Sequence, residues 1–161
     1  MKFNIILISI LLVLSSCGYS MRGAINVPSS VKSVSVISNY YSELVNVINS
    51  SLVSSNIGVS RSKDAKLHGI HILSEEFDRR QLSINVSGRV NEYELIYTVK
   101  FQLKAPGKSD AEDKIILYRD YSFDENNIMG NSDREDYIKK GMMSTASTLI
   151  FNKLISSINN Q

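Results

Sequence analysis

The chain holds one thiol, Cys17, and two imidazoles, His68 and His71, so nucleophilic or metal chemistry has few parts to work with. His68 and His71 lie three apart. On a strand that spacing sends them to opposite faces, and a shared metal ion is not expected. Ser60-Arg61-Ser62-Lys63 has the serine-x-x-lysine spacing of penicillin-recognising enzymes. Ser29-Ser30-Val31-Lys32 has it too, neither starts an apolar helix, and the companion motifs are missing, so the match carries little weight in a serine-rich chain. There is no glycine-rich phosphate loop, and the acidic residues are scattered without the pairing that acid–base hydrolysis needs. The reading is a protein that is not an enzyme and carries no cofactor or metal.

Cys17 has a different prospect. It closes Leu14-Ser15-Ser16-Cys17 behind an apolar run from Phe3 to Leu14 that follows Lys2. A positive start, a short apolar stretch and small residues before a cut are the parts of an export signal. The stretch falls short of the roughly 20 apolar residues of a membrane span. The arrangement resembles a bacterial lipoprotein signal, which makes Cys17 the first mature residue and a lipid anchor. At about 0.8 kcal/mol per buried CH₂, two or more acyl chains hold a protein on a membrane without spanning it. A plain export signal with a coincidental cysteine is the alternative, and it leaves an unpaired thiol in an exported protein. By analogy with enteric lipoproteins, Gly18 in place of an Asp after the anchor directs the protein to the periplasmic face of the outer membrane.

Removing residues 1–16 from 161 leaves 145, enough for one domain with a real core. The whole chain carries +2, and loss of Lys2 takes it to +1. Without a basic field, nucleic acid is not an expected partner. Without a cysteine pair, packing alone must hold the domain. Residues 17–30, with Gly18, Gly23 and Pro28, read as a tether, and residues 31–161 as a single αβ domain.

Val31 to Ile37 alternates as a short β-branched strand. Tyr41, Leu44, Val45, Ile48 and Leu52 recur at three and four, one face of a helix, which Asn56 and Gly58 stop. Tyr93, Leu95, Tyr97, Val99, Phe101 and Leu103 take every second position, a strand with one buried face. Leu82, Ile84 and Val86 alternate before it, and Ser87-Gly88 suits a two-residue hairpin turn. That register pairs Val86 with Arg89 and sets Leu82 opposite Tyr93. Residues 74–81 interrupt the apolar pattern, which Leu67, Ile70 and Ile72 restore on the near side. The far end of the hairpin is expected to project past the helices, leaving Leu82, Ile84, Val86 and Val90 exposed or covered by another protein. An irregular loop over 74–90 is the alternative.

Residues 115–121 form a further strand. Ser132-Asp133-Arg134-Glu135 fits a capping box. Ile138, Met142, Ala146, Leu149, Ile150, Leu154 and Ile158 then mark an amphipathic helix whose stripe is core, because the opposite side is not basic. The predicted class is α+β, a β-α-β-β-β-α sandwich with two helices on one face of a four-stranded mixed sheet.

Cys17-Gly18-Tyr19-Ser20-Met21-Arg22-Gly23, then Val27-Pro28-Ser29, the Glu92-Tyr93 strand, Tyr118-Arg119 and the long last helix together resemble the LPS-assembly lipoprotein family LptE. The resemblance covers nearly the whole mature chain, and its opening motif is the most specific part. It implies an αβ sandwich in the lumen of the outer-membrane β-barrel LptD, as a plug that assists barrel assembly and takes part in delivering lipopolysaccharide to the surface. A hydrated lumen suits a polar plug. In the family, basic residues near the hairpin tip and before the last helix are associated with lipopolysaccharide. This chain departs from that pattern: the family's basic tip position falls on Val86, and residues 126–132 hold no basic residue. Arg89 remains at the tip, and Arg79 and Arg80 are substitutes where the hairpin turns them to the same end; their plainer role is a solvated surface or pairing with Glu75 and Glu76. Arg22 and Arg119 match family positions and, with Ser87, are candidate partner contacts. A scaffold for another envelope machine and a small periplasmic hydrolase are the competing classes.

Overall fold

Strict alternation from Tyr93 to Leu103 makes a strand, and the computed structural model shows what it organises. The structure describes residue 28 and residues 31–62, 66–107 and 109–159. Cys17, Arg22 and most of the expected tether lie outside the described residues. The elements are β1 (Ser33–Ser38), α1 (Glu43–Ser54), β2 (Gly58–Ser60), β3 (His68–Ile84), β4 (Val90–Lys104), β5 (Ala111–Ser122) and α2 (Ile128–Asn159). The sheet order is β2-β1-β3-β4-β5. β1 runs parallel to β2 and β3, and the β3, β4 and β5 pairs are antiparallel. The α+β class and the two helices on a mixed sheet agree with the sequence reading. The sheet has five strands rather than four.

The extra strand, β2, has only three residues, too few to show a period of two. It packs close to β1, where a Cβ on Gly58 would lie 3.2 Å from the Lys32 carbonyl oxygen.

α1 starts at Ser42, whose hydroxyl accepts from the Val45 amide at 3.2 Å and donates to Glu75 Oε2 at 2.6 Å. Leu44, Ile48 and Leu52 are buried. Tyr41, read as part of that stripe, precedes the cap and is 86% exposed. Asn56 ends the helix with φ 59°, the left-handed geometry that a short polar side chain tolerates.

β3 is one strand of 17 residues, so the segment 74–81 is neither a break nor an irregular loop. A bulge at Leu73 shifts the alternation. Ile70 and Ile72 face the helices before it; after it Glu75, Phe77 and Arg79 do, opposite Val99, Tyr97 and Leu95. The apolar pattern lapses because the covered face itself turns polar and aromatic.

The hairpin closes differently from the predicted register. Ile84 pairs with Val90, Gln81 rather than Leu82 opposes Tyr93, and Leu82 sits in a bulge. The Gly88 amide donates to the Asn85 carbonyl at 2.9 Å, Gly88 has φ 77°, and Asn85 Oδ1 accepts from the amides of Ser87 and Arg89. This is a three-residue loop with a left-handed residue before the bulge.

α2 also begins earlier than the capping-box reading. Asn127 caps it, accepting from the Gly130 amide at 3.0 Å, and Ser132 to Glu135 lie inside the helix. Its 32 residues span about 48 Å. Met142, Met143, Ala146, Ile150, Phe151 and Leu154 close the core against Leu95, Tyr97, Val99 and Phe101. Among the described residues no helix is long and apolar enough to cross a membrane.

Candidate functional site

The distal half of the hairpin carries the chemistry, and α2 positions it. Glu135 projects from the second turn of α2 and gathers three donors: Arg79 Nη1 at 3.0 Å, Lys139 Nζ at 2.7 Å and the Tyr121 hydroxyl at 2.8 Å. Arg79 lies 4.5 Å above the Tyr93 ring, which stacks on Tyr121 and meets Phe123 edge-on. Lys139 also stands over Phe77, itself stacked at 4.0 Å on Tyr97. An open cleft of about 320 Å³ runs beside these groups to Ile128 and Asn131.

Electrostatics fix the charge states. Burial pushes the Glu135 carboxyl up, but hydrogen bonds from Lys139 and Tyr121, with Arg79 beside them, outweigh it and hold the group below its ordinary value. Burial and the bond to Glu135 raise the Tyr121 phenol. Burial raises Tyr97 further, helped by its bond to Glu75 Oε1 at 2.7 Å. No proton is poised to move near neutral pH. The cluster clamps α2 onto β3 and β5.

The three candidate arginines are not brought together. Arg79 faces α2, Arg80 turns to the opposite sheet face and pairs with Glu94, and Arg89 at the tip pairs with Glu125 at 2.6 Å. Neither Arg79 nor Arg80 takes Glu75 or Glu76 as its partner. Strand alternation separates adjacent residues whatever the twist. Leu82, Ile84 and Val86 stand exposed beyond the helices, Ile84 at 63%. His68 falls on the face of Ile70 and His71 on the other.

A profile of the family LptE, lipopolysaccharide-assembly, matches residues 30–154. The chain belongs to the LptE family. An LPS-assembly lipoprotein LptE of Pectobacterium atrosepticum is 21% identical over 156 residues, covering 96% of this chain and 85% of that protein. The crystal structure of rare lipoprotein B from Shewanella oneidensis superposes with TM-score 0.73 at 28% identity, over 80% of this chain and 97% of that one. The solution structure of a lipoprotein B from Nitrosomonas europaea gives 0.71 at 20% identity, over 88% and 93%.

Of the LptE-type contact candidates, Ser87 lies in the tip loop, its amide held by Asn85. Arg119 sits on the edge strand β5 and donates to the Tyr118 carbonyl at 2.8 Å. Sequence reasoning missed Glu135 as an organising residue because it was assigned to a cap. Its i, i+4 spacing to Lys139 was the available signal.

Proposed function

We propose that this LptE-family chain is an outer-membrane lipoprotein that plugs a large β-barrel of the LptD kind and assists its assembly for lipopolysaccharide transport. In this reading residues 1–16 are a signal, Cys17 carries the lipid, residues 17–30 are the tether, and the αβ domain enters the lumen from the periplasmic side. The observation that carries it is the hairpin. It extends past its own helices and ends in Leu82, Ile84 and Val86, apolar side chains that the described residues leave exposed. Arg89 is the basic residue best placed to meet a lipopolysaccharide phosphate there, in exchange for Glu125.

A photo-crosslinking residue at Ser87, in cells carrying the lipidated chain, tests the proposal. Capture of an outer-membrane barrel protein of LptD size supports it. Capture of a different envelope protein, with lipopolysaccharide export intact on depletion of the chain, assigns it to another machine.

A further inference from the structure

One face of the sheet packs against the helices; over β3, β4 and β5 the other has no helix on it among the described residues, and the charges of the two faces are managed in opposite ways. Facing α2, carboxylates have internal partners: Glu75 has Ser42 and Tyr97, Asp113 has Lys153, and Glu135 has its three donors. The open face is read in rows across β3, β4 and β5. Ser74, Lys100 and Lys114 share one row; Glu76, Thr98 and Ile116 the next; Asp78, Ile96 and Tyr118 the third; Arg80, Glu94 and Asp120 the fourth.

Two of these rows set like charges directly opposite one another, Lys100 against Lys114 and Glu94 against Asp120, an arrangement that destabilises a sheet. Among the described residues neither lysine makes an ion pair. They border an open cleft of about 370 Å³ with Leu73, Glu112 and Asp113. In the fourth row Arg80 alone answers Glu94 and Asp120. Between the two charged rows Ile116 and Tyr118 are 40% and 49% exposed. Six positions separate Lys100 from Glu94 along β4, about 20 Å. The face therefore carries a basic row at Lys100 and Lys114, and then carboxylates from Glu76 and Asp78, beside Ile116 and Tyr118, on to Glu94 and Asp120 nearer the tip, with Arg80 among them.

We propose that this open face is the surface that docks on the barrel wall, and that it takes a polar wall presenting carboxylates over Lys100 and Lys114 and cations over Glu76, Asp78 and Asp120, while Glu94 is already held by Arg80. The inference rests on the plug reading and adds which side of the sandwich makes the contact and with what charge. Barrel lumens are polar, so a wall can supply both signs. Complementary charge sets register and rejects the reversed orientation.

Two measurements decide it. Photo-crosslinking residues are placed at Ile116, on the open face, and at Tyr137, exposed on α2, with Ser87 as the reference for any barrel contact. Barrel capture from Ile116 and Ser87 but not from Tyr137 is the expected result. Capture from Ser87 while Ile116 yields nothing or a glycolipid overturns this inference and leaves the plug reading standing; capture from none of the three overturns both. The second measurement is Lys100→Glu, which replaces a repulsive cross-strand pair with an attractive one. In the isolated chain the midpoint of thermal unfolding should rise, by up to about 4 °C. Recovery of the copurified barrel should fall about tenfold, because the new carboxylate meets one on the wall. A purely structural lysine would move both readouts in the same direction or leave the barrel unaffected. Either outcome ends the proposal, and Lys140→Glu on α2 controls for net charge.

Discussion

Replacing Glu135 by Gln keeps the side chain's shape and removes the charge on which three donors converge. Arg79 is 48% exposed and Lys139 31%, so each ion pair is worth only about 0.2–1 kcal/mol. The Tyr121 hydroxyl bonds to a carboxylate that is 17% exposed. A bond to a charged acceptor contributes about 1.5–3 kcal/mol, and Gln retains part of it. The expected loss is about 1.5–3 kcal/mol, read as a shift of about 1 M in the urea midpoint of the purified chain at pH 7. The sign with pH follows from the lowered carboxyl. A group whose folded value lies below its ordinary 4.5 favours the folded state above that pH. Its contribution disappears as pH falls through the folded value. The difference between wild type and Glu135→Gln should therefore be full at pH 7 and shrink progressively as pH falls below 4.5. A loss under about 0.5 kcal/mol at pH 7, or a difference that does not shrink on acidification, would refute the clamp.

Tyr97→Phe removes the donor to Glu75 Oε1 and should cost about 1.5–3 kcal/mol in denaturant unfolding, with no change in secondary structure by circular dichroism. Asn56→Ala should cost about 1–2 kcal/mol and Asn56→Gly nothing or less, because φ is 59° there; calorimetry separates the two. Gly88→Val places a β-branched residue at φ 77° and should raise amide exchange in residues 82–92 while the core around Phe101 keeps its protection. Cys17→Ala should leave the unfolding midpoint unchanged and release the protein from membranes after a high-salt wash; a variant that still sediments is held by its protein partner rather than by lipid.

The buried half of the fold was legible because single elements there follow one rule. Leu95 to Leu103 alternate against a dry core, and Leu44, Ile48 and Leu52 repeat as a helix face does. The distal half was less legible because its rules are tertiary. Residues 74–81 form strand although their covered side carries Glu75 and Arg79, whose partners lie on Ser42, Tyr97 and Glu135, far away in sequence. The bulge at Leu73 changes which residues face inward, and no local signal marks it. Ser132 to Glu135 satisfied a helix-start pattern that Asn127 had already fulfilled. A three-residue turn rather than a two-residue one was enough to displace Leu82 from Tyr93. The charge segregation of the open face needs the register of three strands before it can be seen.

These misreadings share a physical origin. Near its base the domain is held by burial, with Ile70, Ile72, Phe101, Ile150 and Leu154 fully enclosed. Toward the tip the first turns of α2 are polar, so cover comes from rings and ion pairs: Phe77 on Tyr97, Arg79 on Tyr93, Glu135 between them. Such a layer holds geometry with less apolar burial than a core, and segments with few buried apolar contacts sit at the low end of local stability. A hairpin of that kind is stiffened along its length by backbone pairing yet leaves its tip and one face without helical cover among the described residues. In the proposed plug, the base supplies the folding free energy and the reach supplies recognition. Polar residues in the middle of β3, which look like a defect in the apolar pattern, are what allow one strand to do both.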